Sequence, residues 1–305
     1  MSRVLHGAAI AAAIKQEVVE EVRALAAQGI RPGLAAVLVG HVPASELYVR
    51  SKVQTCAELG LFSDLITPPD SVTTEEMLDL VAALNDRDDI DGILIQLPLP
   101  KQVDAKALLD AVSPAKDVDG FHPVNAGRLQ GGRPALAPCT PAGVIEILRR
   151  SDLPMSGQHA VVVGRSDIVG KPVAMLLLHQ NATVTICHSK TRDLGGLTRE
   201  ADILVAAIGR PGFIEPDMVK PGATVIDVGI NRLSTREEFD RYFAGDAKRE
   251  EAFVKRGSTI VGDVHPKAFE RAGAYTPVPG GVGPLTIAML MSNTVRAAKM
   301  RRGLE

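Results

Sequence analysis

The sequence predicts a two-domain α/β protein whose second domain is built on a doubly wound parallel sheet. Three observations predict it. Short apolar, β-branched runs alternate with helical periodicities along most of the chain, as in repeated strand–helix–strand units. Several of these runs end directly in glycine, at 34–40, 159–164, 203–209 and 224–229, as strands do where the backbone turns sharply into the next segment. At 305 residues and 46% hydrophobic content, the chain is also long enough for two cores.

In the first half, Ile14, Val18, Val22 and Leu25 recur at helical spacing over 10–27, and Gln28-Gly29 closes that helix. A strand at 34–39 follows, then a helix running to Gly60, then a short strand at 61–66. Thr73-Thr74-Glu75-Glu76 is a capping box ahead of the apolar stripe Met77, Leu80, Val81 and Leu84. The run 92–100 reads as a parallel strand buried on both faces, stopped by Pro98 and Pro100, which cannot continue a ladder. A helix over 104–112 leads into Lys116-Asp117-Val118-Asp119-Gly120-Phe121-His122-Pro123, a loop by its Asp, Gly and Pro content.

Candidate chemistry in this half centres on Tyr48 and Lys52. Four residues apart on one helix, they face the same way. The helix starts where a strand ends, the edge at which open α/β sheets bind ligands. An aromatic ring there can stack on a flat substrate while the amine does chemistry. A lone lysine on a helix is ordinarily a solvated charge, so the reading depends on companions. Gln96 is one: if the strands at 34–39 and 92–100 are parallel neighbours, its side chain can reach Lys52, the alternative being a polar residue that caps a strand end. Asp117 and Asp119 are others. Acids at this spacing in a turn commonly satisfy backbone amides, and the functional alternative is one carboxylate aimed at the nitrogen donors of a heterocycle.

The second half opens with Thr140-Pro141, a helix start that joins the two domains. The stretch 159–172 then gives strand, glycine loop and helix, an arrangement that binds phosphate through free backbone N–H groups and the helix dipole. Its glycines, Gly164 and Gly170, are six apart with Ser166 between them, so this is not the G-x-G-x-x-G form. The strand at 183–187 ends in His188-Ser189-Lys190-Thr191-Arg192. An acid at that strand end takes the ribose 2′-OH of NAD, whereas hydroxyls and bases there, with Arg165 in the glycine loop, favour the 2′-phosphate of NADP. Strands at 203–208 and 224–228 complete a Rossmann-type dinucleotide domain. The segment 233–257 is charged, with Phe239, Tyr242 and Phe243 at helical spacing, and reads as one solvated helix whose aromatic stripe serves for docking. The residues at 260–265 read as a short strand, with His265 structural rather than catalytic. The glycine- and proline-dense turn at 276–284 lets backbone approach a ligand closely and opens a final helix.

Composition excludes several classes. A formal charge of −2 and a pI near 6.4 give no basic surface for nucleic acid. The three cysteines, Cys56, Cys139 and Cys187, are odd in number and widely spaced, which suits reduced thiols and neither a disulfide framework nor a metal site. No signal-peptide pattern opens the chain, and no apolar run reaches the ~18 residues of a membrane span. These features predict a soluble, cytoplasmic enzyme without a metal or a membrane partner.

Five motifs, YVRSK at 48–52, DGILIQLPLP at 91–100, KDVDGFHP at 116–123, GRSDIVGKP at 164–172 and TPVPGGVGP at 276–284, stand in an order and spacing that resembles the bifunctional methylenetetrahydrofolate dehydrogenase and methenyltetrahydrofolate cyclohydrolase family, in its bacterial, monofunctional-length type. The resemblance runs nearly end to end. It implies a three-layer α/β folate domain of residues 1–140 plus 284–305, an NADP domain of 141–283, and a cleft between them. It implies that Lys52 is catalytic, that Gln96 holds and tunes it, that Tyr48 stacks on the aminobenzoyl ring, and that Asp119 rather than Asp117 binds the pterin. Ile95, Leu97, Pro279, Gly280, Gly281, Val282 and Gly283 would line the folate site, while Gly164, Arg165, Ser166, Ser189 and Ile230 would contact NADP. The substrates implied are tetrahydrofolate derivatives of one-carbon metabolism, which serves purine biosynthesis, and the assembly implied is a homodimer.

The implied chemistry agrees with the residues present. Hydride loss from a methylene bridge between two nitrogens gives a resonance-stabilised cation, a step that needs alignment more than a base. Hydrolysis of that cation needs a proton-handling group, which suits a lysine made less basic by partial burial and positive surroundings. The competing readings are a single-activity NAD-dependent dehydrogenase and a non-catalytic folate or nucleotide module. Two departures from the family pattern stand out: the segment 233–257 is longer than usual, and His265 occupies a position where an acid or apolar residue is common.

Overall fold

The computed structural model describes residues 2–41 and 43–305. They form two compact units, one of residues 11–139 and 286–305, the other of residues 2–10 and 140–285.

The first unit is organised on a three-stranded parallel sheet in the order Phe62–Ile66, Gly33–Val37, Gly92–Ile95. Side chains alternate across it with the period of two that a strand imposes. Leu34, Ala36, Leu38 and Leu94 enter one core with Val18, Val22, Val49, Cys56 and Met291. Ala35, Val37, Val39, Ile93 and Ile95 enter another with Met77, Val81, Leu84 and Leu108. The sheet is therefore covered on both faces, in three layers. Helices Gly7–Ala26, Pro43–Leu59 and Gly283–Arg301 supply one cover, and Thr74–Asp86 and Ala105–Ala111 the other.

Capping fixes where several of these helices begin and end. The Thr73 hydroxyl accepts from the Glu76 amide at 3.2 Å while the Glu76 carboxylate accepts from the Thr73 amide at 2.8 Å, the reciprocal box expected of the sequence. The other end of this helix is closed by the buried Lys116, whose ammonium donates to the carbonyls of Leu84, Asn85 and Arg87. A cation at this end also interacts favourably with the negative pole of the helix dipole. The fully buried Asp91 accepts from Gly33 N at 3.1 Å and from Arg302 at 2.7 Å, and also takes Arg301, so the last helix is clamped to the sheet.

The second unit carries a six-stranded parallel sheet in the order Arg3–Val4, Ala274–Tyr275, Thr224–Asp227, Ile203–Ala206, His159–Val163, Thr183–Cys187. From His159–Val163 the chain goes outward to Thr183–Cys187 and then returns to the other side, so the winding reverses at the carboxyl end of His159–Val163. That reversal is the position at which doubly wound sheets bind ligands.

Three details depart from the sequence reading. Residues 2–10, which the 1–140 boundary places in the first domain, cluster by contact with the second unit, because Arg3–Val4 pairs in parallel with Ala274–Tyr275. Proline at the first turn after His122 starts an unforeseen helix, Pro123–Gln130, with the His122 ring accepting from Val124 N at 3.0 Å. The segment 233–257 is two helices, Arg236–Phe243 and Ala247–Arg256, set between antiparallel strands Asn231–Leu233 and Thr259–Val261. Its aromatic stripe is not a docking face: Phe239 and Phe243 are buried with Leu233 and Val261, and Phe253 lies 4.8 Å from Phe239.

Candidate active site

In the first unit, Lys52 lies one helical turn beyond Tyr48 on Pro43–Leu59. Tyr48 is 45% exposed, whereas Lys52 is only 7% exposed. The register Val37↔Ile95 continues through a hydrogen bond from Gln96 N to Val37 O at 2.9 Å, which sets Gln96 just past the strand end. From there Gln96 Oε1 accepts from Lys52 Nζ at 3.0 Å. The Gln96 amide nitrogen donates to Leu97 O at 2.7 Å, so the side chain has one orientation and presents its oxygen to the lysine.

The two acids of the 116–123 loop separate by role. Asp117 is buried and accepts from the amides of Phe121 at 3.1 Å and His122 at 2.8 Å, and from Asn125 Nδ2 at 2.9 Å, so it builds the loop. Asp119 is half-buried, with one carboxylate oxygen 3.9 Å from the Cys139 thiol. Burial pushes its carboxyl up to about 6, against the pull of the Lys52 charge; Asp117 pushes it further up. The charge that Lys52 faces here is thus a carboxylate and not the positive surroundings expected of the sequence. The same burial and the neighbouring Asp119 push the Cys139 thiol well up, which keeps it protonated.

The loop's position is secured from the last helix. Asn293 Nδ2 donates to Val118 O at 2.8 Å and Ala137 O at 2.9 Å, binding the residue before Asp119 to the chain that passes it. Gly120 turns there with φ of 69°, and a Cβ would meet Leu136 O at 2.6 Å. Sequence reasoning missed Asn293, since one asparagine in an apolar helix carries no signal of a distant partner.

Of the other residues expected near folate, Leu97 is half-buried, while the Ile95 side chain is fully committed to the core. Ile95 can therefore offer only backbone. In the second unit, Pro279 is exposed and Gly280 and Gly283 half-exposed, but Gly281 and Val282 are buried. Gly281 is packed so closely that a Cβ on Gly7 would sit 1.7 Å from its carbonyl oxygen.

The second unit's sheet edge fits a dinucleotide. Gly164 has φ of 132°, and a Cβ there would meet Ala207 O at 2.2 Å, so the turn after His159–Val163 is bare backbone. Gly170 packs against it, a Cβ meeting Gly164 O at 2.3 Å. Arg165 and Ser189 are exposed at adjacent strand ends, and Ile230, 54% exposed, follows the end of Thr224–Asp227. One expectation changes: Ser166 Oγ accepts from the amides of Val169 and Gly170, and Ser166 O from that of Lys171. With Pro172 next, the start of Gly170–His179 has no free N–H in its first residues. A phosphate would be held by the 164–168 loop and the Arg165 side chain, with the helix dipole behind them.

Two buried acids that the sequence did not single out build the rest of this edge. Asp263 accepts from the amides of Ile208, Gly209 and Arg210 at 2.6, 2.8 and 2.9 Å. Asp227 accepts from Gly229, Asp263 and Val264 amides at 3.0, 2.8 and 3.0 Å, and burial pushes its carboxyl up to about 7. Gly229 and Gly262 are bare because a Cβ on either would strike these carboxylates, at 2.3 and 1.8 Å.

Two family models match the chain: the tetrahydrofolate dehydrogenase/cyclohydrolase catalytic domain over residues 5–119 and the NAD(P)-binding domain of the same family over residues 138–302. Among curated relatives, a bifunctional protein FolD of Koribacter versatilis is 68% identical over 303 residues, covering 99% of both chains. One from Solibacter usitatus is 61% identical over the whole of both. A crystal structure of the bifunctional FolD enzyme from Campylobacter jejuni superposes with a TM-score of 0.89 at 42% identity, covering 99% of this chain and 100% of that one. The Trypanosoma brucei enzyme, solved with NADP and an inhibitor, gives 0.88 at 38% identity over 99% and 98%. With the lysine–glutamine pair, the acid loop and the bare glycine edge all in place, the chain belongs to the tetrahydrofolate dehydrogenase/cyclohydrolase family.

Proposed function

We propose that the protein oxidises 5,10-methylenetetrahydrofolate to 5,10-methenyltetrahydrofolate with NADP and hydrolyses that product to 10-formyltetrahydrofolate. The observation that carries this reading is the 3.0 Å bond from the nearly buried Lys52 to Gln96, beside the Asp119 carboxyl. NADP supplies the hydride acceptor. For that step the chain need only align the reactants, because the product is a delocalised cation. Tyr48 stacks on the aminobenzoyl ring, Asp119 takes the pterin's N–H donors, and backbone of Ile95, Leu97 and the 279–283 loop lies along the folate. Arg165, Ser166 and Ser189 receive the nucleotide's phosphates, with Gly164 and Ile230 against the rest of it.

Hydrolysis asks more of the side chains. Water adds to the methenyl carbon, and the proton it gives up is passed on at Lys52 Nζ. The carbon–N5 bond then breaks with a proton delivered to N5, the formyl group stays on N10, and one proton is released overall. Gln96 keeps the amine directed at this carbon. A coupled assay tests the reading: methylenetetrahydrofolate is supplied with NADP or NAD, and methenyl and formyl products are followed separately. Sequential appearance of both products with NADP preferred is expected. NAD preference with no formyl product would favour a single-activity dehydrogenase, and binding without any absorbance change a non-catalytic module. The protein is further proposed to be a cytoplasmic homodimer. No helix among the described residues is long and apolar enough to cross a membrane. Sedimentation equilibrium giving a monomer would contradict the homodimer.

A further inference from the structure

The excursion between Asn231–Leu233 and Thr259–Val261 carries one cation that is turned inward. Arg249, on Ala247–Arg256, lies over the Phe243 ring, its guanidinium carbon 4.1 Å from the ring centroid. It donates from Nη1 to Ile260 O at 2.9 Å and from Nη2 to Val278 O at 2.6 Å. Among the described residues no carboxylate lies within ion-pairing distance, so these two carbonyls and the ring are its close partners.

Among the described residues the Val278 carbonyl has no backbone donor. On either side of it the backbone is held by Thr276 N to Val225 O at 3.0 Å and Gly281 N to Pro277 O at 2.8 Å. Pro277 and Pro279 have no N–H, so the loop can form no ladder of its own between those points. Nor does packing support it there: Pro277, Val278, Phe243 and Arg249 all line a cavity of about 640 Å³. A short charge-assisted bond across the rim of a cavity constrains the stretch around Val278 that these backbone bonds leave unheld.

We propose that Arg249 is a positioning residue for the reaction: by holding the Val278 carbonyl it sets the backbone of 279–283 against the folate, an inference that rests on the assignment of that loop to the substrate site. The excursion is then a brace for the loop. Lysine at this position would keep the charge but could not span both carbonyls with a planar fork.

The test uses the full-length protein and two variants, Arg249→Met, which keeps an unbranched stem against Phe243, and Arg249→Lys. Two readouts are taken: hydrogen exchange of the Gly281 amide, and KM for methylenetetrahydrofolate and for NADP. The expected result for Arg249→Met is faster Gly281 exchange, unchanged exchange in the strand Ile203–Ala206, a folate KM raised about tenfold and an NADP KM within about twofold, with Arg249→Lys intermediate. Unchanged Gly281 exchange overturns the brace itself. Faster exchange with an unchanged folate KM overturns the positioning role, whereas failure of the parent protein to turn over methylenetetrahydrofolate in the coupled assay overturns the reading on which that role rests. Faster exchange everywhere, with both KM values shifted together, shows a structural residue only and also overturns the proposal. Should Arg249→Met fail to fold, the same readouts on Arg249→Lys decide.

Discussion

Lys52 Nζ lies 3.0 Å from Gln96 Oε1, and the Gln96 amide nitrogen is engaged with Leu97 O at 2.7 Å. The glutamine thus cannot rotate away without losing a second bond, and the lysine is held from one side. Replacing Gln96 with alanine frees the amine. Cyclohydrolase kcat is expected to fall by about 10²-fold, since a misplaced proton-handling group costs that order, with a smaller loss in hydride transfer, which needs no base. Stopped-flow measurement of the two steps separates them; equal losses would indicate a general folding defect.

Asp119 predicts a pH-dependent stability. Its carboxyl is raised from 3.8 to about 6 in the folded protein, so between these values the folded state holds a proton that the unfolded state has released. Stability from this group is therefore present below pH ~4 and is lost as pH rises through about 6. Asp119→Asn removes the titration. It is expected to be more stable than the parent at pH 8 by up to about 3 kcal/mol and no more stable at pH 3.5, while binding folate less well. Urea unfolding midpoints at the two pH values check this.

Arg165 is exposed in the glycine turn that follows His159–Val163, the strand beside the one that leads to Ser189. Arg165→Ala is expected to raise the KM for NADP about tenfold or more while leaving that for NAD nearly unchanged, because only the former has a 2′-phosphate for the guanidinium. Steady-state kinetics with both nucleotides measure the ratio. Equal effects on the two would place Arg165 on the shared pyrophosphate instead.

Much of the arrangement around Lys52 was legible from local rules. Helical spacing put Tyr48 and Lys52 on one face, and two apolar runs with parallel-strand character brought Gln96 to the end of the sheet beside them. The turn chemistry of Asp117 was equally readable. What escaped depends on partners far away in the chain. Arg3–Val4 is two residues with no pattern of its own, and it becomes a strand only by pairing with Ala274–Tyr275. Asn293 acts on Val118 and Ala137, and Asp227 and Asp263 act on amides in loops that no periodicity links to them. Ser166 reads as part of an open phosphate loop, but a hydroxyl four residues before the first helical residue finds its nearest donors in the helix start itself. In 233–257 the aromatic spacing correctly indicated a helix, whereas the break at Gly245, with φ of 86°, and the Asp246 cap divide the segment in two.

The central claim is that the amine of Lys52 handles the protons of hydrolysis and is not needed for hydride transfer. The most direct measurement supplies 5,10-methenyltetrahydrofolate to Lys52→Met and follows 10-formyltetrahydrofolate. A rate lowered by at least about 10²-fold, with methylenetetrahydrofolate still bound, is the result the account predicts. Hydrolysis at the parent rate would contradict it.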